Sequence, residues 1–139
     1  MTLQPRPDTL SILFPHAART ADVTVRVAVN YLAEQSNPSA GRWFWSYHVR
    51  IENSGRKAVQ LLSRRWRIVD GRGAVHEVVG EGVVGDMPLI GPGASFDYVS
   101  GCPLTTAAGS MEGSYAMVDE NGAAFDAAIP RFALVGPAA

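Results

Sequence analysis

Cysteine is nearly absent: Cys102 is the only one in 139 residues, so the chain cannot close an internal disulfide or assemble a cysteine-based metal site within itself. A reducing, cytoplasmic setting is the simplest expectation. Histidine is scarce as well. His16, His48 and His76 do not pair at metal-ligand spacing, and no run resembles a calcium loop, so no metal and no cofactor is expected. Long apolar runs are missing too. Leu10 to Phe14 (LSILF) is too short for a signal core or a membrane span, which predicts a soluble chain without membrane insertion. Neither sign of charge prevails, with 12 Lys plus Arg against 13 Asp plus Glu, and this balance argues against nucleic acid as a partner. Helix-period segments are lacking beyond a few residues, and there is no repeat or low-complexity tract.

Two-residue alternation fills the space that these absences leave. Val23, Val25, Val27, Val29 and Tyr31 share one parity and Thr24, Arg26, Ala28 and Asn30 the other, the pattern of a strand with one buried face. After the turn cluster Gln35 to Gly41, Trp43, Trp45, Tyr47, Val49 and Ile51 repeat it. A third strand follows the polar turn at Asn53 to Lys57, with apolar Val59 and Leu61 on odd positions but Trp66 and Ile68 on even ones. The parity change inside Leu62 to Arg65 is what one extra residue in a ladder produces, so a β-bulge or strand switch is expected there.

Glycine-containing turns then divide the rest. Asp70 to Gly73 leads into a short strand from Ala74 to Val79, the glycine-rich bend Gly80 to Gly85 precedes an extended piece at Pro88 to Ile90, and Gly91 to Gly93 turns the chain into a strand at Ser95 to Ser100. Asn121-Gly122 marks a hairpin between Ser114 to Asp119 and Ala124 to Ile129. Pro130 and Pro137 are read as closing the chain. About seven strands with no helix predict an all-β fold, an antiparallel β-sandwich, with a closed barrel as the alternative. Trp43, Trp45 and Trp66 are expected in its core. Residues 1–22, with Pro5, Pro7 and Pro15, read as an irregular N-terminal arm, and residues 23–135 as one domain.

Four runs carry a resemblance. Gln60 to Trp66 (QLLSRRW), Glu77 to Gly85 (EVVGEGVVG), Pro88 to Leu104 (PLIGPGASFDYVSGCPL) and Gly109 to Asp119 (GSMEGSYAMVD) closely resemble the bacterial ApaG family. The resemblance spans roughly Val23 to Leu134. It implies a fibronectin type III-like or immunoglobulin-like β-sandwich, in agreement with the strand count. It also implies an association with cobalt and magnesium efflux or resistance and a gene neighbourhood shared with a diadenosine tetraphosphate hydrolase. Related domains in eukaryotic F-box proteins and in a polymerase-interacting protein point to an interaction module, and the family implies no settled reaction.

The residues themselves offer few chemical constellations. Gly80, Gly82 and Gly85 form a literal G-x-G-x-x-G, but Asp86 to Leu89 cannot open the helix that a dinucleotide site needs. The bend could still serve phosphate or pyrophosphate as an anion nest with Arg64 or Arg65, opposed by Glu81 and Asp86; a plain strand corner is the favoured reading. Asp119 and Glu120 beside the hairpin read as a solvated turn rather than a cation site. Cys102 has no helix terminus or cation nearby to lower its pKa and reads as a small buried hydrophobe. No catalytic set emerges, and an enzyme is not expected. Phe44, with His48 and Arg50 on the polar face of its strand, is the candidate anchor for an unidentified protein partner, unless the arm covers it. Basic residues concentrate between Arg42 and Glu77 and acidic ones from Val78 onward, so neighbouring strands decide whether a charged face results. Long strands such as Val23 to Tyr31 could also pair edge to edge into a homodimer.

Overall fold

Nine strands, one short α-helix and two single-turn 3-10 helices (Ala33–Gln35 and Pro38–Ala40) make up the computed structural model, which describes residues 7–139. In chain order the α-helix and strands are α1 (Pro7–Leu13), β1 (His16–Thr20), β2 (Val23–Tyr31), β3 (Trp43–Asn53), β4 (Val59–Asp70), β5 (Val75–Glu81), β6 (Leu89–Ile90), β7 (Ser95–Leu104), β8 (Ala108–Asp119) and β9 (Ala124–Val135). All pairings are antiparallel. One sheet has the order β1-β2-β3-β7, and the other β5-β4-β8-β9 with β6 also on β4. The expected β-sandwich is therefore present, with β6 at the extended piece beside the glycine bend.

The burial strings explain the stacking. β3 alternates buried and half-buried residues along its whole length, so its odd positions Trp43 to Ile51 enter the core with Val23, Val25 and Val27. The facing sheet contributes Leu61, Trp66, Met111, Tyr115, Met117, Phe132 and Leu134. Trp45 and Trp43 complete their polar needs at the chain's end: their indole N–H groups donate to the Val135 and Pro137 carbonyls at 3.0 and 2.8 Å. A buried indole without a partner would cost on the order of 1–3 kcal/mol, which fixes the C-terminal segment against β3.

The parity change is a register shift between Leu61 and Ser63 against β8. Leu62 is the extra residue and turns outward, 37% exposed. Asn53, the buried polar residue at the crossover between the sheets, holds this corner: its amide donates to the Lys57 and Ile90 carbonyls and its Oδ1 accepts the Gly55 amide.

Three expectations need correction. The arm is not irregular where it is described: Pro7–Leu13 is helical and His16–Thr20 is a strand on β2; Met1 to Arg6 lie outside the described residues. A proline at a helix's first position loses no hydrogen bond, and β1 is small and polar, so its strand character comes from pairing rather than from its own pattern. The last hairpin is longer than the sequence suggests, and Pro130 lies inside β9. There the register shifts between Met111 and Gly113, leaving Pro130 and Arg131 opposite Glu112 in a bulge on an edge strand, where a residue without an N–H is tolerated.

Candidate functional site

One side of the sandwich is closed and the other is open. β9 packs against β1 and β2, and the Ala128 amide donates to Thr20 Oγ1 at 3.0 Å. On the opposite side the edges β5 and β7 stand apart over a cleft of about 690 Å³. Because the bulge at Leu62 reverses parity, Arg64, Trp66, Ile68 and Asp70 of β4 all face this cleft. β7 supplies Ser100, Cys102 and Leu104, while His76 and Val78 of β5 form a rim. Every residue of β5 except Gly80 is exposed, including Val75, Val78 and Val79.

Polar groups gather at the Arg64 end. The Arg64 Nη1 donates to the Glu81 and Gly82 carbonyls at 2.9 and 2.8 Å, and the guanidinium lies so close to Gly80 that a Cβ there would fall 2.8 Å from Nη2. Tyr47 and Ser100 are cross-strand partners at this end. Burial raises the Tyr47 pKa, against the opposing pull of the Ser100 hydrogen bond and the Arg64 charge. Deeper in the core, Tyr98 of β7 and Tyr115 of β8 join hydroxyl to hydroxyl across the two sheets. Desolvation pushes both well above the usual phenol range. Cys102 is buried and its thiol is raised to about 11 by desolvation, so little thiolate forms near neutrality.

The ApaG domain model matches residues 33–119, from the turn before β3 to the end of β8. The chain belongs to the ApaG family. It is 52% identical over 122 residues to Protein ApaG of Methylobacterium sp. (strain 4-46), covering 88% of this chain and 94% of that protein. Protein ApaG of Caulobacter vibrioides is 52% identical over 124 residues, covering 89% of each. A crystal structure from Bordetella pertussis bearing the name ApaA superposes with a TM-score of 0.81 at 48% identity, covering 84% of this chain and 94% of that one. The C-terminal domain of wzt, at 8% identity and a TM-score of 0.57 over 100% of this chain and 90% of that one, shares the fold alone. All the residues lining the cleft fall inside the span matched by the ApaG domain model.

Within this ApaG domain the glycine-rich bend is a corner whose amides are largely spoken for. Gly82 N–H donates to the Leu62 carbonyl, and Val83 and Asp86 exchange amide hydrogen bonds in a two-residue turn with positive φ at Val84 and Gly85. Arg64 reaches Gly80 and Gly82, whereas Arg65 points to the outer face of the sheet, so the five residues considered for phosphate do not converge. Phe44, His48 and Arg50 do share one face of β3. Phe44 lies over Gly101, where a Cβ would meet its ring at 2.5 Å, and borders the cleft mouth. His48 packs edge-on against Phe14 and contacts Asp97 at 2.9 Å. Arg50 bonds Glu52 and Asp97 at 3.1 and 3.3 Å, and Arg26 joins Glu52 at 2.5 Å. Strand neighbours thus pair basic with acidic segments, as Arg67 with Glu112 also shows. At the hairpin, Asp119 accepts the Asn121 and Ala123 amides and Glu120 accepts that of Ala58. The sequence does not single out Trp66 and Ile68 as a site wall, because Trp66 reads as core; their shared parity with Arg64 on β4 is the available signal.

Proposed function

We propose that this member of the ApaG family is a non-catalytic, cytoplasmic binding module that engages a protein partner along β5 and the neighbouring cleft. The observation that supports this reading is the open side of the sandwich, where an edge strand with three exposed valines borders an aromatic-lined groove. Sheet edges with unpaired backbone groups are ready templates for an added strand. Any role in cobalt or magnesium resistance, which the family resemblance implies, would on this reading run through the partner. The test places a photo-crosslinking amino acid at Val79 on β5 and, separately, at Arg131 on β9. The reading expects a defined adduct from the first position and none from the second; the same adducts from both, or none from either, overturn it. An adduct of twice the chain mass would identify the partner as a second copy of the chain, paired edge to edge.

Phosphate or pyrophosphate binding at the bend is the second reading, favoured by the Arg64 guanidinium beside Gly80 and Gly82. The committed amides, Glu81 and Asp86 count against it. Calorimetric titration with pyrophosphate decides: saturable binding lost in Arg64→Met supports a site there, and no heat of binding removes it.

A further inference from the structure

The cleft has a direction. Arg64, Trp66, Ile68 and Asp70 follow one another on alternate residues of β4, a row roughly 20 Å long for a strand of this length. The middle is apolar: the Trp66 ring lies 5.2 Å from that of Tyr47, with Ile68 and Val78 beside it. The ends differ in charge. At one end Asp70 Oδ1 already accepts the Arg72 and Ala74 amides at 2.9 and 3.0 Å, and its Oδ2 lies 3.8 Å from His76 Nε2. Leu104 and Trp43 cover this end, with Arg42 adjacent. At the other end Arg64 is fixed by two carbonyls, which carry no net charge, and among the described residues no carboxylate forms an ion pair with it. The result is an oriented cation without a salt-bridge partner among the described residues at one end of an apolar slot, with the Tyr47 and Ser100 hydroxyls at the same end.

We infer that the cleft binds an amphipathic organic monoanion: a flat or aliphatic body about the size of naphthalene along Ile68 and Val78 above the buried Trp66, with a carboxylate head on Arg64. A volume near 690 Å³ falls within the range of small-molecule sites. A guanidinium matches a carboxylate in plane through two parallel hydrogen bonds. A doubly charged phosphate fits less well, because one arginine cannot offset two charges taken into apolar surroundings. The inference rests on the cleft being the binding site, and it holds whether the carboxylate belongs to a free molecule or to an apolar segment of the protein partner.

The experiment titrates the full chain with 2-naphthoate and with its neutral isostere 2-naphthamide, read by calorimetry and by quenching of tryptophan fluorescence. One site is expected, with the carboxylate bound about tenfold more tightly than the amide, as a charge-assisted hydrogen bond gives. Arg64→Met should erase that preference while leaving amide binding in place. Since Arg64 also braces the bend, a second pair of variants keeps the test decisive. Val78 is 41% exposed on the rim, so Val78→Asp should weaken 2-naphthoate severalfold and Val78→Lys should not. Equal affinity for the two isosteres, indifference to Val78→Asp, or no saturable binding at millimolar ligand overturns the inference. Crosslinking from position 79 reports the partner separately. Adducts without naphthoate binding discard this inference alone, and naphthoate binding without adducts discards the partner reading alone.

Discussion

Tyr98 and Tyr115 meet across the core with their hydroxyls as each other's partners, one from each sheet. Neither phenol can lose its partner cheaply, since a buried hydroxyl left alone costs on the order of 1–3 kcal/mol. Tyr98→Phe should therefore lower unfolding free energy by about that amount in urea denaturation, and Tyr98→Phe with Tyr115→Phe should cost less than the sum of the two single changes. Desolvation raises both folded pKa values. The unfolded phenols ionise first as pH rises, so stability is intact below about pH 10 and is lost above it; the double phenylalanine variant should flatten that alkaline limb. Asp70 behaves oppositely. The Arg72 amide, followed by the Ala74 amide and the charges of His76 and Arg72, holds its pKa below the usual carboxylate range. Its stabilisation is complete above about pH 4 and disappears as pH falls through the folded value. Asp70→Asn should lose the turn's preference for the ionised form and show a shallower acid limb in pH-dependent thermal unfolding.

At the scale of elements, the bulges decide where side chains point. Without the extra residue at Leu62, Trp66 and Ile68 would face outward with Arg64 while Arg65 turned inward, and the cleft would lose its long wall. The second bulge depends on Gly113, whose added Cβ would sit 2.0 Å from the Arg65 carbonyl oxygen. Gly113→Ala should thus force β8 and β4 apart and destabilise the fold by several kcal/mol, on the order of the overpacking penalty or more, measurable as a lowered denaturation midpoint. Gly82 is similarly constrained, with φ +61° and an Asp86 carbonyl oxygen 2.2 Å from an added Cβ. The two-residue turn that follows contains a misfit: Val84 has φ +45° and is 60% exposed. A left-handed conformation costs an L-residue roughly 1–2 kcal/mol, and branching at Cβ makes it worse. Val84→Gly should relieve part of that strain and raise the thermal midpoint measured by calorimetry.

Over the whole molecule, each sheet depends on pairings between strands far apart in the chain. β3 pairs with β7 some fifty residues later, and β4 with β8 at comparable distance. Such topology folds slowly because loop closure precedes any reward. Refolding from urea should relax in milliseconds to seconds rather than microseconds, read by tryptophan fluorescence as Trp45 and Trp66 become buried. The same arrangement cancels charge: basic β4 lies beside acidic β8 and Arg50 of β3 beside Asp97 of β7, so ion pairs such as Arg50 with Asp97 and Arg67 with Glu112 form on the outer faces where a basic patch had been one outcome.

Much of this architecture was legible from residue order. The alternation of Val23 to Tyr31 and Trp43 to Ile51, the parity change near Leu62 and the turns at Gly73 and Gly122 follow from local sterics and from which residues avoid water, and these act over a few residues. β1 and the length of β9 were not legible, because His16 to Thr20 and the chain around Pro130 become strands only when a neighbour offers hydrogen bonds. Nor was the candidate site. Its cation comes from β4, its rim from β5, its far wall from β3 and β7, and the gap between them exists because β9 closes one side of the sandwich while β5 and β7 leave the other open. Patterning along a chain fixes which face of a strand is apolar; only the packing of distant strands decides whether that apolar face is covered by the other sheet or left to line a cleft.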